Sequence, residues 1–327
     1  MKIGMISFAH MHAYSYAAHL HAHPDVELAA IWDDDPARGT AAAEQFGGTF
    51  YEDLADLLAT DLDAVVVCSE NNKHRAHVVQ AAQAGKHILC EKPIATTVAD
   101  AEAMLAACKD AGVILQIAYP VRFAPVVQRV RDIVQSGQLG EILAIKGTNH
   151  GQMPGGWFIE EELSGGGSAT DHIVHVMDLI RWMLQDEVKN VYAELDTRFY
   201  DIAVEDCGMV SLELESGVIV TIDPSWSRPK TFPTWGDVTM EIVGTKGTLS
   251  VDAFKQALHY YNDREGKTQS LPWAEDMDKR LIGDFVQCVK QEGEPSITGE
   301  DGLRTLEVVK AAYESSRTKQ VVTLNRS

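Results

Sequence analysis

Over residues 1–120, short apolar runs alternate strictly with alanine-rich stretches of helical spacing, and this pattern constrains the fold more than any other feature of the chain. The runs fall at 3–8, 27–32, 64–68, 88–90 and 114–118, and the helical stretches at 13–22, 36–46, 53–59, 74–84 and 98–111. Strands that alternate with helices are joined by right-handed crossovers. The expected product is a parallel sheet with helices over both faces.

This half reads as a Rossmann-type domain. The pattern changes after Tyr119-Pro120. A helix at 124–135 and the turn Gly137-Gln138-Leu139-Gly140-Glu141 lead to a strand at 142–148, and a buried helix follows at 171–184. Apolar runs with turn signals recur at 188–199, 208–214, 218–222, 238–243, 248–251 and 258–261, before two closing helices (276–291 and 300–318) and a last strand at 321–324. Strands in succession predict an open, mainly antiparallel sheet. The expected class is therefore α/β, with an N-terminal Rossmann parallel sheet in residues 1–120 and a C-terminal α/β domain in residues 121–327. A chain of 327 residues suits two cores better than one.

Net charge matters here for what it excludes. At −20 the surface repels nucleic acid and anionic lipid, so neither is expected as a partner. The N-terminus lacks the apolar core and cleavage site of a signal peptide, and no stretch approaches the ~18 apolar residues of a membrane span. The cysteines, Cys68, Cys90, Cys108, Cys207 and Cys288, are odd in number and show no CxxC pairing, which predicts neither disulfides nor a cysteine zinc site. A cytoplasmic protein is expected.

The first strand is followed by Ser7-Phe8-Ala9-His10-Met11-His12, where a dinucleotide-binding turn normally reads G-x-G-x-x-G. Ser7 and Ala9 are small enough to stand for two of the glycines; His12 is bulky. Asp33, at the end of the second strand, is the acid that can accept the adenosine ribose hydroxyls and repel a 2′-phosphate. With Asp34 and Asp35 beside it, NAD is favoured over NADP, although Asp35 also suits the plainer role of helix cap. Expected cofactor contacts are Ser7, Phe8, Ala9, His10, Met11, Asp33, Ser69, Asn71, His74, Glu91 and Lys92. His10 and His12 suit phosphate donation, reach toward substrate, or simple packing, and His74 also suits a helix start.

Glu91-Lys92-Pro93 follows the apolar run ending at Cys90. A lysine at the carboxyl end of a buried strand lies where open α/β sheets bind ligands. Asp171, His175 and Asp178 share one face of an otherwise apolar helix that begins after Gly165-Gly166-Gly167. Lys92, Asp171 and His175 are the expected catalytic groups, able to move a proton while a bound cofactor moves a hydride. Two plainer readings stand beside this one, a Ser168-x-x-Asp171 capping box and a core histidine at His175. Asp171, His172 and His175 make a poor metal set because only two share a face, so no metal is expected.

Together these motifs resemble the Gfo/Idh/MocA family, with Glu91-Lys92-Pro93, the triple glycine with Asp171-x-x-x-His175, Arg122-Phe123-x-Pro125, Asn71-Asn72-Lys73-His74 and Val243-Gly244-Thr245-Lys246-Gly247-Thr248-Leu249 carrying the likeness along the whole chain. The resemblance implies an NAD(P)-binding domain, then a substrate and oligomerisation domain whose open sheet joins subunits into a homodimer or homotetramer. It implies a carbohydrate or cyclitol substrate and maps the family's catalytic lysine, aspartate and histidine onto Lys92, Asp171 and His175. Substrate contacts are implied at Lys92, Arg122, Trp157, Asp171, His172 and His175. The implied activity is NAD-dependent hydride transfer with a secondary alcohol of a sugar, sugar acid or cyclitol. A redox-neutral NAD-assisted glycosidase or eliminase, and a non-catalytic nucleotide-binding regulator, are the alternatives. The departure from the family is the first turn, which lacks its glycines.

Overall fold

A computed structural model describes residues 1–255, 257–262, 266–272 and 275–324. Its first eleven elements are β1 (Lys2–Ile6), α1 (His12–Ala22), β2 (Glu27–Trp32), α2 (Pro36–Phe46), β3 (Thr49–Tyr51), α3 (Leu54–Leu58), β4 (Ala64–Val67), α4 (His74–Gln83), β5 (His87–Cys90), α5 (Val98–Ala111) and β6 (Leu115–Ile117). The six strands form one parallel sheet in the order β3-β2-β1-β4-β5-β6. That order reverses between β1 and β4, and ligands bind at such a reversal, outside the carboxyl ends of the strands. β4 reads Ala-Val-Val-Val and is wholly buried, as a central strand covered on both faces must be. The short edge strand β3 was not expected, because three residues carry no readable period.

Caps fix the helix starts. Asp35 accepts from the amides of Ala37 and Arg38 ahead of Pro36, and Thr97 accepts from Asp100 at α5. The cap reading of Asp35 is the one the structure forms.

The remaining elements are α6 (Pro125–Gln135), β7 (Ile142–Thr148), α7 (Glu161–Ser164), α8 (Ser168–Leu184), β8 (Val188–Asp196), β9 (Cys207–Leu214), β10 (Ile219–Asp223), β11 (Thr239–Gly244), β12 (Gly247–Asp252), β13 (Ala257–Asn262), β14 (Lys267–Pro272), α9 (Met277–Gln291), α10 (Gly299–Thr318) and β15 (Val322–Thr323). Seven strands make a mixed sheet, β12-β11-β7-β10-β9-β8-β15, in which only the β7–β10 pair is parallel. The mainly antiparallel sheet is thus as expected. β13 does not join it but pairs with β14 in a separate hairpin.

By contacts the chain divides into two units. The first holds Met1–Pro120, Glu162–Gly165 and Asp278–Leu306; the second holds Val121–Glu161, Gly166–Met277 and Glu307–Ser327. A single cut after residue 120 therefore leaves two later segments to be returned to the first unit. Gln116 shows why: its side chain donates to Asp284 at 2.9 Å, and its backbone bridges to Thr298.

Among the described residues no helix is long and apolar enough to cross a membrane.

Candidate active site

In the first unit the turn after β1 is built without glycine. Ser7 takes φ +70°, the left-handed region that costs an L-residue about 1–2 kcal/mol. Its neighbours hold it there. Ser7 N–H donates to Trp32 O at 2.7 Å, Phe8 N–H to Asp33 Oδ2 at 2.7 Å, Ala9 N–H to Ser7 Oγ at 3.2 Å and His10 N–H to Cys68 O at 2.9 Å. These amides are thus committed within the protein. Replacing Ser7 by glycine removes the strain, and the unfolding midpoint should rise by a few degrees. Ser7→Val, β-branched at positive φ, should lower it instead. Equal midpoints for the two variants, read by thermal denaturation, would remove the strain argument.

Asp33 is buried and fully engaged. Its Oδ2 receives Phe8 N–H (2.7 Å) and Arg38 Nε (2.9 Å); its Oδ1 receives Arg38 Nη2 (2.6 Å) and Asp35 N–H (2.9 Å). Four hydrogen bonds are the full capacity of a carboxylate. A ribose hydroxyl can bond Asp33 only by displacing one of them, and Arg38, the one partner that donates from a side chain, half-buried, is the one able to move. Asp34 pairs with Arg38 at 2.9 Å and with Lys73.

The edge after β4 and β5 carries the other expected cofactor residues. Asn71 donates to Ser164 O at 2.8 Å, and its buried Oδ1 has no hydrogen-bond partner among the described residues. An orphaned buried acceptor costs about 1–3 kcal/mol, and a ligand hydroxyl would satisfy it. This acceptor lies at the carboxyl edge of a sheet whose order is that of dinucleotide-binding folds, so the residues present fit NAD. Ser69 Oγ lies 3.0 Å from His77 Nδ1. His74 is placed differently from expectation: it is fully buried, with Nδ1 3.0 Å from Pro93 O and Nε2 3.2 Å from Ser69 O. Its ring fastens the Lys92-Pro93 segment to the loop after β4, a positioning role.

Lys92 follows β5 and is 4% exposed. Its amide donates to Glu91 Oε2 at 3.0 Å, and the Lys92–Pro93 peptide is cis. Glu91 is wholly buried. Burial works to raise its pKa, but His10 and His12 beside it hold it well below the usual carboxylate range. Burial in turn disfavours charge on His12, and Glu91 outweighs it, raising the imidazole's pKa. Met11 is the exposed member of the turn.

In the second unit, α8 starts at the triple glycine. Gly166 takes φ +146°, and a Cβ there would lie 1.9 Å from the Tyr313 hydroxyl; one on Gly167 would lie 2.0 Å from Glu205 O. Side chains are excluded from both positions. The capping box does not form: Gly167 is the cap residue, and Ser168 Oγ is buried without a partner among the described residues. Glu205 takes over, accepting from the amides of Gly167 (3.0 Å) and Ala169 (2.9 Å) and from the Tyr313 hydroxyl (2.7 Å). A carboxylate on the first amides of a helix is favoured by its dipole. No local spacing links Glu205 to Gly167, which is why the sequence did not reveal it.

Asp171 and His175 lie one turn apart on α8, both half-buried among wholly buried neighbours. Asp171 Oδ2 accepts from Trp226 Nε1 at 3.1 Å and lies 3.2 Å from His172 Nε2. Trp226, the largest fully buried side chain among the described residues, is a partner of Asp171 that had no signal in the sequence. His172 is buried on Asp171, so it is brought together with the acid. Trp157 stacks on Phe158 with ring centroids 3.9 Å apart. Arg122, expected against substrate, is 4% exposed and held at both ends by buried Asp178, at 2.7 and 2.5 Å. The correction has a physical cause: a buried carboxylate on an apolar helix needs a cation, and Arg122 supplies it. Asp178 accordingly belongs to this pair rather than to a line of active-site groups.

Beyond the end of β7, His150 lies between Asp223 (3.0 Å) and Asp237 (3.5 Å), and Arg228 pairs with Asp237. Burial lowers the His150 pKa, but the two carboxylates prevail and push it up to about 9. Because the folded value exceeds the unfolded ~6.5, the folded protein holds the proton more tightly. That stabilisation is complete below about pH 6.5 and is lost as pH rises toward 9. After allowance for partial exposure it should amount to roughly 2 kcal/mol. Urea midpoints at pH 6 and pH 9.5 should differ for the native protein and much less for His150→Gln; an equal drop in both would place the titration elsewhere.

Comparison with known proteins agrees with this architecture. A family model described as an oxidoreductase family with an NAD-binding Rossmann fold matches residues 1–119, and the GFO/IDH/MocA C-terminal domain model matches residues 127–250. The D-apiose dehydrogenase of Paraburkholderia graminis is 31% identical over 333 residues, covering 94% of this chain and 86% of that protein. The myo-inositol 2-dehydrogenase of Thermotoga maritima is 28% identical over 336 residues, covering 99% and 98%. The crystal structure of GenD2 from gentamicin A biosynthesis, in complex with NAD, superposes with a TM-score of 0.91 at 25% identity, covering 100% of this chain and 97% of that one.

Proposed function

The chain belongs to the Gfo/Idh/MocA family of NAD-binding oxidoreductases, and from that premise we propose that it oxidises a secondary alcohol of a sugar, sugar acid or cyclitol. The observation that carries this reading is Lys92, a buried lysine at the carboxyl edge of an NAD-binding parallel sheet. Relatives named for D-apiose, myo-inositol and D-xylose as substrates support the substrate class.

NAD, when bound, accepts the hydride. The protein's groups handle the proton. In this reading His175 takes the hydroxyl proton, while Lys92 and Asp171 hold the oxygen and stabilise its developing negative charge, an effect typically worth a few kcal/mol. Trp226 and His172 keep the Asp171 carboxylate in place. Asn71 Oδ1 and the turn Ser7-Phe8-Ala9-His10-Met11 are assigned to the dinucleotide, with Ser69 and Glu91 shaping that edge. Asp33 favours NAD over NADP by its charge once Arg38 releases a hydrogen bond. Trp157 is assigned to the substrate.

A homodimer or homotetramer fits the second unit, whose mixed sheet has Tyr192, Met209, Ile219 and Val243 exposed on one face. Light scattering should give at least twice the 35.9 kDa chain mass, and Ile219→Lys should reduce it. Five free thiols suit a reducing compartment such as the cytoplasm.

The test is NADH absorbance with a panel of sugars, sugar acids and inositols, alongside native mass spectrometry for bound nucleotide. Sustained NADH formation with one class is the expected result. Bound NAD that never accumulates as NADH with any member would replace the proposal with redox-neutral chemistry. Absence of both would point to a protein that does not turn over.

A further inference from the structure

The first turn gathers three metal-ligating side chains from two loops of the first unit. His12 Nδ1 lies 3.0 Å from Glu91 Oε1, His10 Nδ1 lies 3.9 Å from the same oxygen, and the imidazole rings stand 4.6 Å apart at 63°. One donor atom from each of the three residues falls within 4.8 Å of the others. Ligands about 2.0–2.1 Å from a tetrahedral zinc are separated by roughly 3.3 Å. The two separations from Glu91 Oε1 fall on either side of that value, and the three donors all lie within 4.8 Å, so side-chain adjustment without backbone rearrangement would close the set.

Several features of the surroundings suit a cation. The Glu91 carboxylate is 0% exposed, and a buried carboxylate requires a positive neighbour. Its Oε2 is fixed by the Lys92 amide at 3.0 Å, which leaves Oε1 directed at the histidines. Tyr16, wholly buried, places its hydroxyl 3.5 Å from His12 Nδ1, a long contact that the metal would displace. His12 is 32% exposed and Met11 beside it is exposed, so the cluster is open to solvent on one side. The turn amides of Ser7, Phe8, Ala9 and His10 are spent within the chain, so they do not supply the positive potential at this point.

We propose that His10, His12 and Glu91 form a site for one divalent transition-metal ion of the zinc or cobalt type, with a fourth coordination position left open. Two imidazoles and one carboxylate are a donor set suited to such ions and unsuited to magnesium or calcium. Three protein ligands leave room for water or for an oxygen of a bound ligand. The His12 backbone amide, which donates to His10 Nδ1 at 3.2 Å, would yield that nitrogen to the metal. The site shares His10 and Glu91 with the dinucleotide edge assigned above, and because it is tested with metal alone, without dinucleotide or substrate, its failure would leave the dehydrogenase reading standing.

The experiment is titration of the chelator-treated full chain with Co2+, followed by the visible d–d absorption of the ion and by elemental analysis after desalting. The expected result is one Co2+ per chain, with affinity at least tenfold weaker in both His12→Ala and Glu91→Gln. His12→Ala alters a half-exposed side chain and guards against a folding failure of Glu91→Gln; far-UV circular dichroism checks both. Failure to bind near one equivalent would overturn the proposal, leaving a protonated His12 as the counter-charge of Glu91. So would binding that survives both substitutions but is lost in His21→Ala, which would place the metal at the far end of α1.

Discussion

Lys92→Ala should lower turnover about 10³-fold while the protein stays folded and keeps its nucleotide. The size follows from what a charged donor at a reacting oxygen contributes, about 10²–10⁴ in rate for a positioned acid or base, plus the stabilisation of charge that develops only in the transition state. Burial makes the effect large. The side chain is 4% exposed, so water cannot enter and substitute for the missing ammonium without reorganising the segment that His74 fastens. Stability should fall modestly, since Lys92 is one of the cations that offset the buried Glu91 charge, with His10 and His12 remaining beside it. The measurement is kcat and KM by NADH absorbance, with NAD affinity and unfolding midpoint on the same preparation. A variant retaining a tenth of the native kcat would take Lys92 out of the chemistry. A variant that loses NAD binding instead would make it a cofactor residue only. Lys92→Arg keeps the charge but not the compact donor and should recover little activity.

Arg122→Ala should cost about 3–5 kcal/mol of stability, the typical penalty for leaving one partner of a buried ion pair alone. Asp178 would remain inside the protein as an uncompensated carboxylate at 0% exposure. The two bonds of 2.7 and 2.5 Å tie the segment Pro120–Phe123 to α8, and the guanidinium also lies 5.5 Å from the centroid of the Trp182 ring. At about 2–4 °C per kcal/mol for a domain of this size, the midpoint should fall by roughly 10 °C. Asp178→Ala should do the same, and the pair Arg122→Met with Asp178→Leu should recover most of the loss, because neither charge is then stranded. An unchanged midpoint with a tenfold rise in KM would return Arg122 to the substrate.

The two residues show where reading the sequence succeeds and where it stops. The position of Lys92 was legible because the end of an apolar run follows from the strand itself, which the local pattern reveals. Arg122 belongs to a motif too, but its partner lies 56 residues away, and nothing local distinguishes a guanidinium that meets a carboxylate from one that meets a substrate. The same limit applies to α8. Its polar positions Asp171, His175 and Asp178 were placed correctly on one face by helical spacing, yet Asp178 pairs with Arg122 while Asp171 is held by Trp226 and His172.

By itself the sequence determined most of the element order, the parallel N-terminal sheet, the mainly antiparallel second sheet and the family, because each rests on periodicity or on residues adjacent in the chain; β3, α7 and β14 were too short or too weakly patterned to read. Tertiary structure alone decided that Arg38 completes the hydrogen bonding of Asp33, that Glu205 caps α8, and that His10 and His12 converge on Glu91, which lies 79 residues beyond His12. Those outcomes depend on charge compensation and on filling the hydrogen-bonding capacity of buried groups. Such requirements are met by whichever residue the fold brings near, and proximity in the fold is not written in spacing along the chain.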